Sequence, residues 1–76
     1  MFINAKSALI DAGAHARWMP FEVTVQYKRD EHGEWINEAK GHSTDYLAEV
    51  YTDLRNLWHN RVRMINSANG VVIYRG

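Results

Sequence analysis

Residues 21–28 run Phe21-Glu22-Val23-Thr24-Val25-Gln26-Tyr27-Lys28, with apolar and polar side chains in strict alternation. A period of two over this length puts Phe21, Val23, Val25 and Tyr27 on one face of a strand and Glu22, Thr24, Gln26 and Lys28 on the other. A half-buried strand needs a partner. The polar run Arg29-Asp30-Glu31-His32-Gly33 reads as a turn, and residues 34–42 as the returning strand. Pairing Lys28 with Glu34 sets Tyr27 against Trp35, Val23 against Ala39 and Glu22 against Lys40, which joins aromatics inside and opposite charges outside. A slip of one residue would bring Lys40 opposite Val23 and Glu38 opposite Val25, so the first register is expected.

Downstream, Ser43 or Thr44 caps a helix whose first turn carries Asp45, where the helix dipole favours an acid. Leu47, Val50, Tyr51, Leu54, Leu57 and Trp58 recur at helical spacing and form an apolar stripe over residues 44–59. Asn60, behind His59, is the expected left-handed terminator. Asn69-Gly70 then signals a two-residue type I′ hairpin. That turn pairs Ala68 with Val71, Asn66 with Ile73 and Met64 with Arg75, and leaves Arg61, Arg63, Ile65, Val72 and Tyr74 on the opposite face. Upstream, Asn4 can cap a short helix over residues 4–12, with Ala5, Leu9, Ala12 and Ala16 at helical spacing. Pro20 blocks helical continuation.

The expected fold is α+β. A short N-terminal helix precedes β-β-α-β-β, a four-stranded antiparallel sheet with one helix packed on one face, in a single domain over residues 1–76. The helix would cover Phe21, Val23, Val25, Tyr27, Trp35, Val62, Met64, Val71 and Ile73. The other face is either open or covered by the N-terminal segment with Trp18 and Met19.

Seventy-six residues leave room for one small core. Nine Lys+Arg balance nine Asp+Glu, so the uniformly basic footprint of many nucleic-acid binders is missing. The absence of cysteine excludes disulfides, zinc–thiolate sites and a thiol nucleophile. No apolar run reaches the roughly 20 residues of a membrane span, and Asp11 interrupts the apolar stretch after Lys6, which argues against a signal peptide. A soluble, intracellular chain is expected. His15, His32, His42 and His59 have no histidine neighbour at helical spacing, so no metal is expected. Ser7, Ser43 and Ser67 read as helix, cap and turn residues, and no glycine-rich phosphate loop precedes the long helix. Neither a cofactor nor an enzymatic activity is expected.

Two surface features remain as candidate protein-binding sites. Asp45, Glu49 and Asp53 form an acidic row at i, i+4 and i+8, although like charges at that spacing repel. The row is either a solvated helix face or a stripe that meets a basic partner. On the outer sheet face, Ile65, Val72 and Tyr74, rimmed by Arg61, Arg63 and the first hairpin's Glu22, Lys28, Glu38 and Lys40, have interface composition. Stacking of RNA bases on a sheet takes two or three exposed aromatics, and only Tyr74 is offered, so direct nucleic-acid binding is not expected.

Phe-Glu-Val-Thr-Val at 21–25, the polar turn to Gly33, the return strand through Ala39, the capped helix ending at Trp58 and the Asn-Gly pair at 69–70 complete a pattern. In size and element order over residues 21–75, it resembles the small phage-encoded anti-CRISPR proteins that inhibit type I CRISPR–Cas surveillance complexes. The resemblance includes no diagnostic motif and carries over no functional residue. It implies a non-enzymatic inhibitor, in the cytoplasm of a bacterial host, that binds a Cas subunit and blocks target DNA binding or nuclease recruitment. Two other readings stand beside it. One is a dimerising or antitoxin-like interaction module that self-associates through the open sheet or the edge strands. The other is a sequence-independent nucleic-acid binder using Arg61, Arg63 and Arg75.

Overall fold

The strand marked by the alternation, β1 (Trp18–Tyr27), lies in the interior of the sheet. The computed structural model describes residues 4–75, in the order α1 (Ala5–Asp11), β1, β2 (Ile36–Ser43), α2 (Thr44–Trp58), β3 (Val62–Asn66) and β4 (Val72–Arg75). Neighbouring strands pair antiparallel in the order β2-β1-β3-β4. This is the expected α+β arrangement. β1 starts at Trp18 rather than Phe21 and runs through Pro20, where its ladder to β2 is interrupted between Trp18 and Val23. A residue without an N–H is tolerated at such an irregularity.

Val23, Val25, Val62 and Met64 of the sheet are fully buried, together with Leu47 of α2 and Leu9 of α1. Ser43, rather than Thr44, caps α2, its hydroxyl accepting from Tyr46 N at 3.3 Å, and Asn4 caps α1 by accepting from Ser7 N at 2.8 Å. α1 packs against α2 and β4, with Ala5 and Leu9 in the same core cluster as Leu47 and Tyr51. Two helices therefore share one face of the sheet, where one was expected, and the N-terminal helix does not cover the other face. Met19 is buried in the core, whereas Trp18 is 61% exposed.

The helix stripe departs from expectation at its end. Trp58 stacks on Tyr27, with ring centroids 5.2 Å apart, while Leu57 turns outward and is 69% exposed. The left-handed terminator is His59 (φ 54°, ψ −123°), not Asn60.

Both hairpins differ in register from the sequence expectation, and the differences decide the surface. In the first, Val23 pairs with Gly41, Thr24 with Lys40 and Val25 with Ala39; after an irregularity, Gln26 pairs with Asn37 and Tyr27 with Ile36. The expected pairs of Tyr27 with Trp35 and Val23 with Ala39 are displaced by one and two residues. Trp58 already occupies the core side of Tyr27, so Ile36 takes the place opposite Tyr27 and Trp35 leaves the core face. An extra residue in one strand is the local device for such a switch.

In the second hairpin Arg63 pairs with Arg75, Met64 with Tyr74 and Ile65 with Val72. Gly70 has the expected positive φ of 74°, but Asn69 does not, so the tight two-residue turn is absent. Instead, Gly70 N donates to Asn66 O at 2.8 Å, Ala68 N to Asn66 Oδ1 at 2.9 Å and Val71 N to Asn69 Oδ1 at 2.9 Å. The two asparagines satisfy backbone donors with their side chains, as Asx turns do. The shift exchanges the roles of Tyr74 and Arg75. Tyr74 lies on the helix side, its ring 5.3 Å from that of Tyr51, and Arg75 faces outward. Val71, expected inside, is 59% exposed.

Candidate binding face

Two rows of side chains cross the sheet face opposite the helices. The register sets Asn37, Gln26, Arg63 and Arg75 side by side on β2, β1, β3 and β4. Gln26 Nε2 donates to Asn37 Oδ1 at 2.8 Å, and Arg63 Nε donates to Gln26 Oε1 at 2.8 Å, so three members form one hydrogen-bonded chain. The neighbouring row is Lys40, Thr24, Ile65 and Val72. Thr24 is buried, its hydroxyl 2.6 Å from that of Ser67.

Trp35, displaced from the core face, is half-buried among cations. Arg63 Cζ lies 4.1 Å, Lys28 Nζ 4.6 Å and Arg75 Cζ 5.0 Å from its ring centroid. Each contact of this kind is worth about 0.5–1 kcal/mol at an exposed site, which offsets part of the repulsion between three like charges. Burial, and then the charge of Arg75, lower the pKa of Arg63 from the ordinary arginine value. Among the described residues, no ion pair involves Lys28, Arg63 or Arg75. The result is a preorganised cationic cluster with spare hydrogen-bond donors and, among the described residues, no carboxylate paired to it. Arg61 closes the end of this region, its Nε donating to Lys28 O at 3.4 Å.

Of the residues singled out from sequence, Arg61, Arg63, Ile65 and Val72 come together on or beside this face. Tyr74 does not. Its place on the helix side removes the aromatic anchor that was expected on the open sheet. The acidic residues lie on α2, away from the cluster. Asp45 is paired with α1, 2.8 Å from Lys6 Nζ, with Arg17 Nε at 4.0 Å. The hydrogen bond from Lys6, then its charge, hold the Asp45 carboxyl below its usual range, with Arg17 a smaller influence. Asp45 is therefore a tie between helices, while Glu49 and Asp53 stay exposed along a shallow cleft beside Asn4 and Lys6.

Sequence reasoning placed Lys28 at the rim of this face beside Arg61 and Arg63, but missed Trp35, Gln26 and Asn37 as members of the site and put Arg75 on the wrong face. Their charges and ring are visible in the sequence, but their meeting depends on irregularities in two ladders. A further groove of about 520 Å³ between α1 and the β3–β4 hairpin is lined by Ala8, Ala12, Phe21, Ile73 and Tyr74 among others, with Asp11 its one charged group. Among the described residues no three His, Asp or Glu side chains converge as a metal site would require, and no helix is long and apolar enough to cross a membrane. No protein-family model, curated protein or solved structure matches the chain.

Proposed function

We propose that this chain is a non-enzymatic binding protein that uses the uncovered sheet face to hold a phosphate-rich polyanion, acting as a sequence-independent nucleic-acid binder. One observation carries the reading: Lys28, Arg63 and Arg75 converge on Trp35, and among the described residues no acid is paired to them. Clustered like charges are unfavourable in the free protein, and an incoming anion relieves that repulsion while it gains charge-assisted hydrogen bonds. The neutral total charge does not oppose this, because binding depends on the local field rather than the sum.

The test is binding of labelled nucleic acid by fluorescence anisotropy over a series of salt concentrations. The logarithm of affinity should fall linearly with the logarithm of salt, and the double variant Arg63→Gln, Arg75→Gln should lower that slope by about 1–2. Absence of binding at low salt by a folded wild-type chain would end this reading.

A second reading is a phage anti-CRISPR inhibitor that meets a basic surface of a type I surveillance complex. It is favoured by the exposure of Glu49 and Asp53, which take part in no ion pair among the described residues. Under it, Glu49→Lys with Asp53→Lys should slow association with a purified type I complex, since rim charges act mainly on the association rate. Unchanged association would discard that surface.

A further inference from the structure

We infer that the face receives single-stranded rather than duplex nucleic acid, laid so that phosphates meet the Arg63–Arg75 pair and bases meet Ile65 and Val72. The inference rests on the polyanion reading above and goes on to name the form of the ligand.

The two rows differ in chemistry where they cross β3 and β4. Arg63 and Arg75 form one cross-strand pair, and Ile65 and Val72 form the next on the same face. Two residues separate the pairs along β3, about 7 Å at ~3.4 Å per residue, and the irregularity in the ladder makes it three along β4. Val72 is 46% exposed and Ile65 half-buried, so the pair presents apolar surface to a ligand, with Val72 at the sheet edge also reaching the groove beside α1. A cationic pair beside an apolar pair matches a single nucleotide, which carries its phosphate and its base at opposite ends of one sugar. A duplex offers a flat protein face its phosphates and sugars, with base edges recessed in grooves that a flat sheet does not enter. Ile65 and Val72 would then be covered by charged backbone, which is unfavourable for them and for the phosphates.

Trp35 holds the cations, so the base contact falls on the aliphatic pair rather than on the indole. The hydrogen-bond chain adds a second argument. Gln26 spends its oxygen on Arg63 and one N–H on Asn37, whose own side-chain nitrogen has no hydrogen bond among the described residues. That free donor sits on β2, at the opposite end of the row from Arg75, where it can meet the edge of an unpaired base. Bases in single strands present those edges and duplex bases do not.

The experiment uses the full chain, a fluorescein-labelled oligothymidylate of about 16 nucleotides, a duplex of the same length, and heparin as a polyanion without bases. The single strand should bind about tenfold more tightly than the duplex at low salt, with a salt slope near −2 for three neutralised phosphates. Val72→Ser and Asn37→Ala, both at exposed positions and checked for folding by circular dichroism, should each weaken oligothymidylate binding about threefold or more while leaving heparin binding unchanged. Equal affinity for single strand and duplex would overturn the inference while the polyanion reading stands, as would oligothymidylate binding unaltered in both variants. Failure to bind either nucleic acid would overturn both.

Discussion

Arg63 and Arg75 stand opposite each other in the β3–β4 ladder, and both guanidinium groups lie against the ring of Trp35, at 4.1 and 5.0 Å. Like charges directly opposite on a sheet are destabilising. The indole, with its negative ring face, is what makes the pair tolerable. Trp35→Ala should therefore lower stability by about 1–3 kcal/mol in urea denaturation at low salt. Because the variant exposes unscreened repulsion among Lys28, Arg63 and Arg75, its deficit should shrink as sodium chloride is added. A deficit independent of salt would mean that the ring contributes packing alone.

Leu54 and Leu57 separate the core from the outer surface of α2. Leu54 is 6% exposed in the core cluster, whereas Leu57 is 69% exposed. Leu54→Ala should cost about 2–5 kcal/mol, a large share of the stability of so small a domain, and Leu57→Ala less than about 0.5 kcal/mol. Equal losses in chemical denaturation would contradict the helix orientation.

At the end of α2, His59 holds φ 54° and ψ −123°, a conformation that L residues rarely adopt. Its N–H donates to Arg55 O at 2.9 Å and its carbonyl accepts from Arg55 Nη1 at 3.1 Å, so backbone contacts keep it there. His59→Gly removes the side-chain strain and keeps both bonds. It should raise stability by about 1 kcal/mol, whereas Asn60→Gly should not. The thermal midpoints of the two variants decide between the two positions.

The Lys6–Asp45 pair gives the domain an acid-sensitive tie between α1 and α2. The folded carboxyl titrates below its unfolded value, so its contribution is complete above the unfolded pKa of about 3.9 and is lost as pH falls through the lower folded value. Wild type should exceed Lys6→Met in urea midpoint near neutrality, and the gap should close in acid below about pH 4. Both partners are about half exposed, so added salt should narrow the gap as well. A gap constant with pH would assign Lys6 a packing role.

Much of the fold is written locally. The alternation of Val23, Val25 and Tyr27 marks the interior strand, Ser43 caps the long helix, and Leu47, Tyr51 and Leu54 at helical spacing give its buried side. These signals survive because each depends on neighbours within one or two turns of chain, where periodicity and capping act. Gly70 likewise shows its left-handed backbone in advance, since a residue without Cβ takes that conformation freely.

The candidate site was decided elsewhere. Whether Trp35 belongs to the core or to the cations depends on a one-residue irregularity in the β1–β2 ladder, and whether Tyr74 or Arg75 faces outward depends on the loop from Ser67 to Gly70. Side chains alternate with a period of two, so a single-residue shift reverses every face downstream of it. The sequence by itself determined which segments become strands and helices. Only the tertiary structure, through the space that Trp58 takes against Tyr27 and Tyr51 against Tyr74, decided which side chains those strands turn toward a partner.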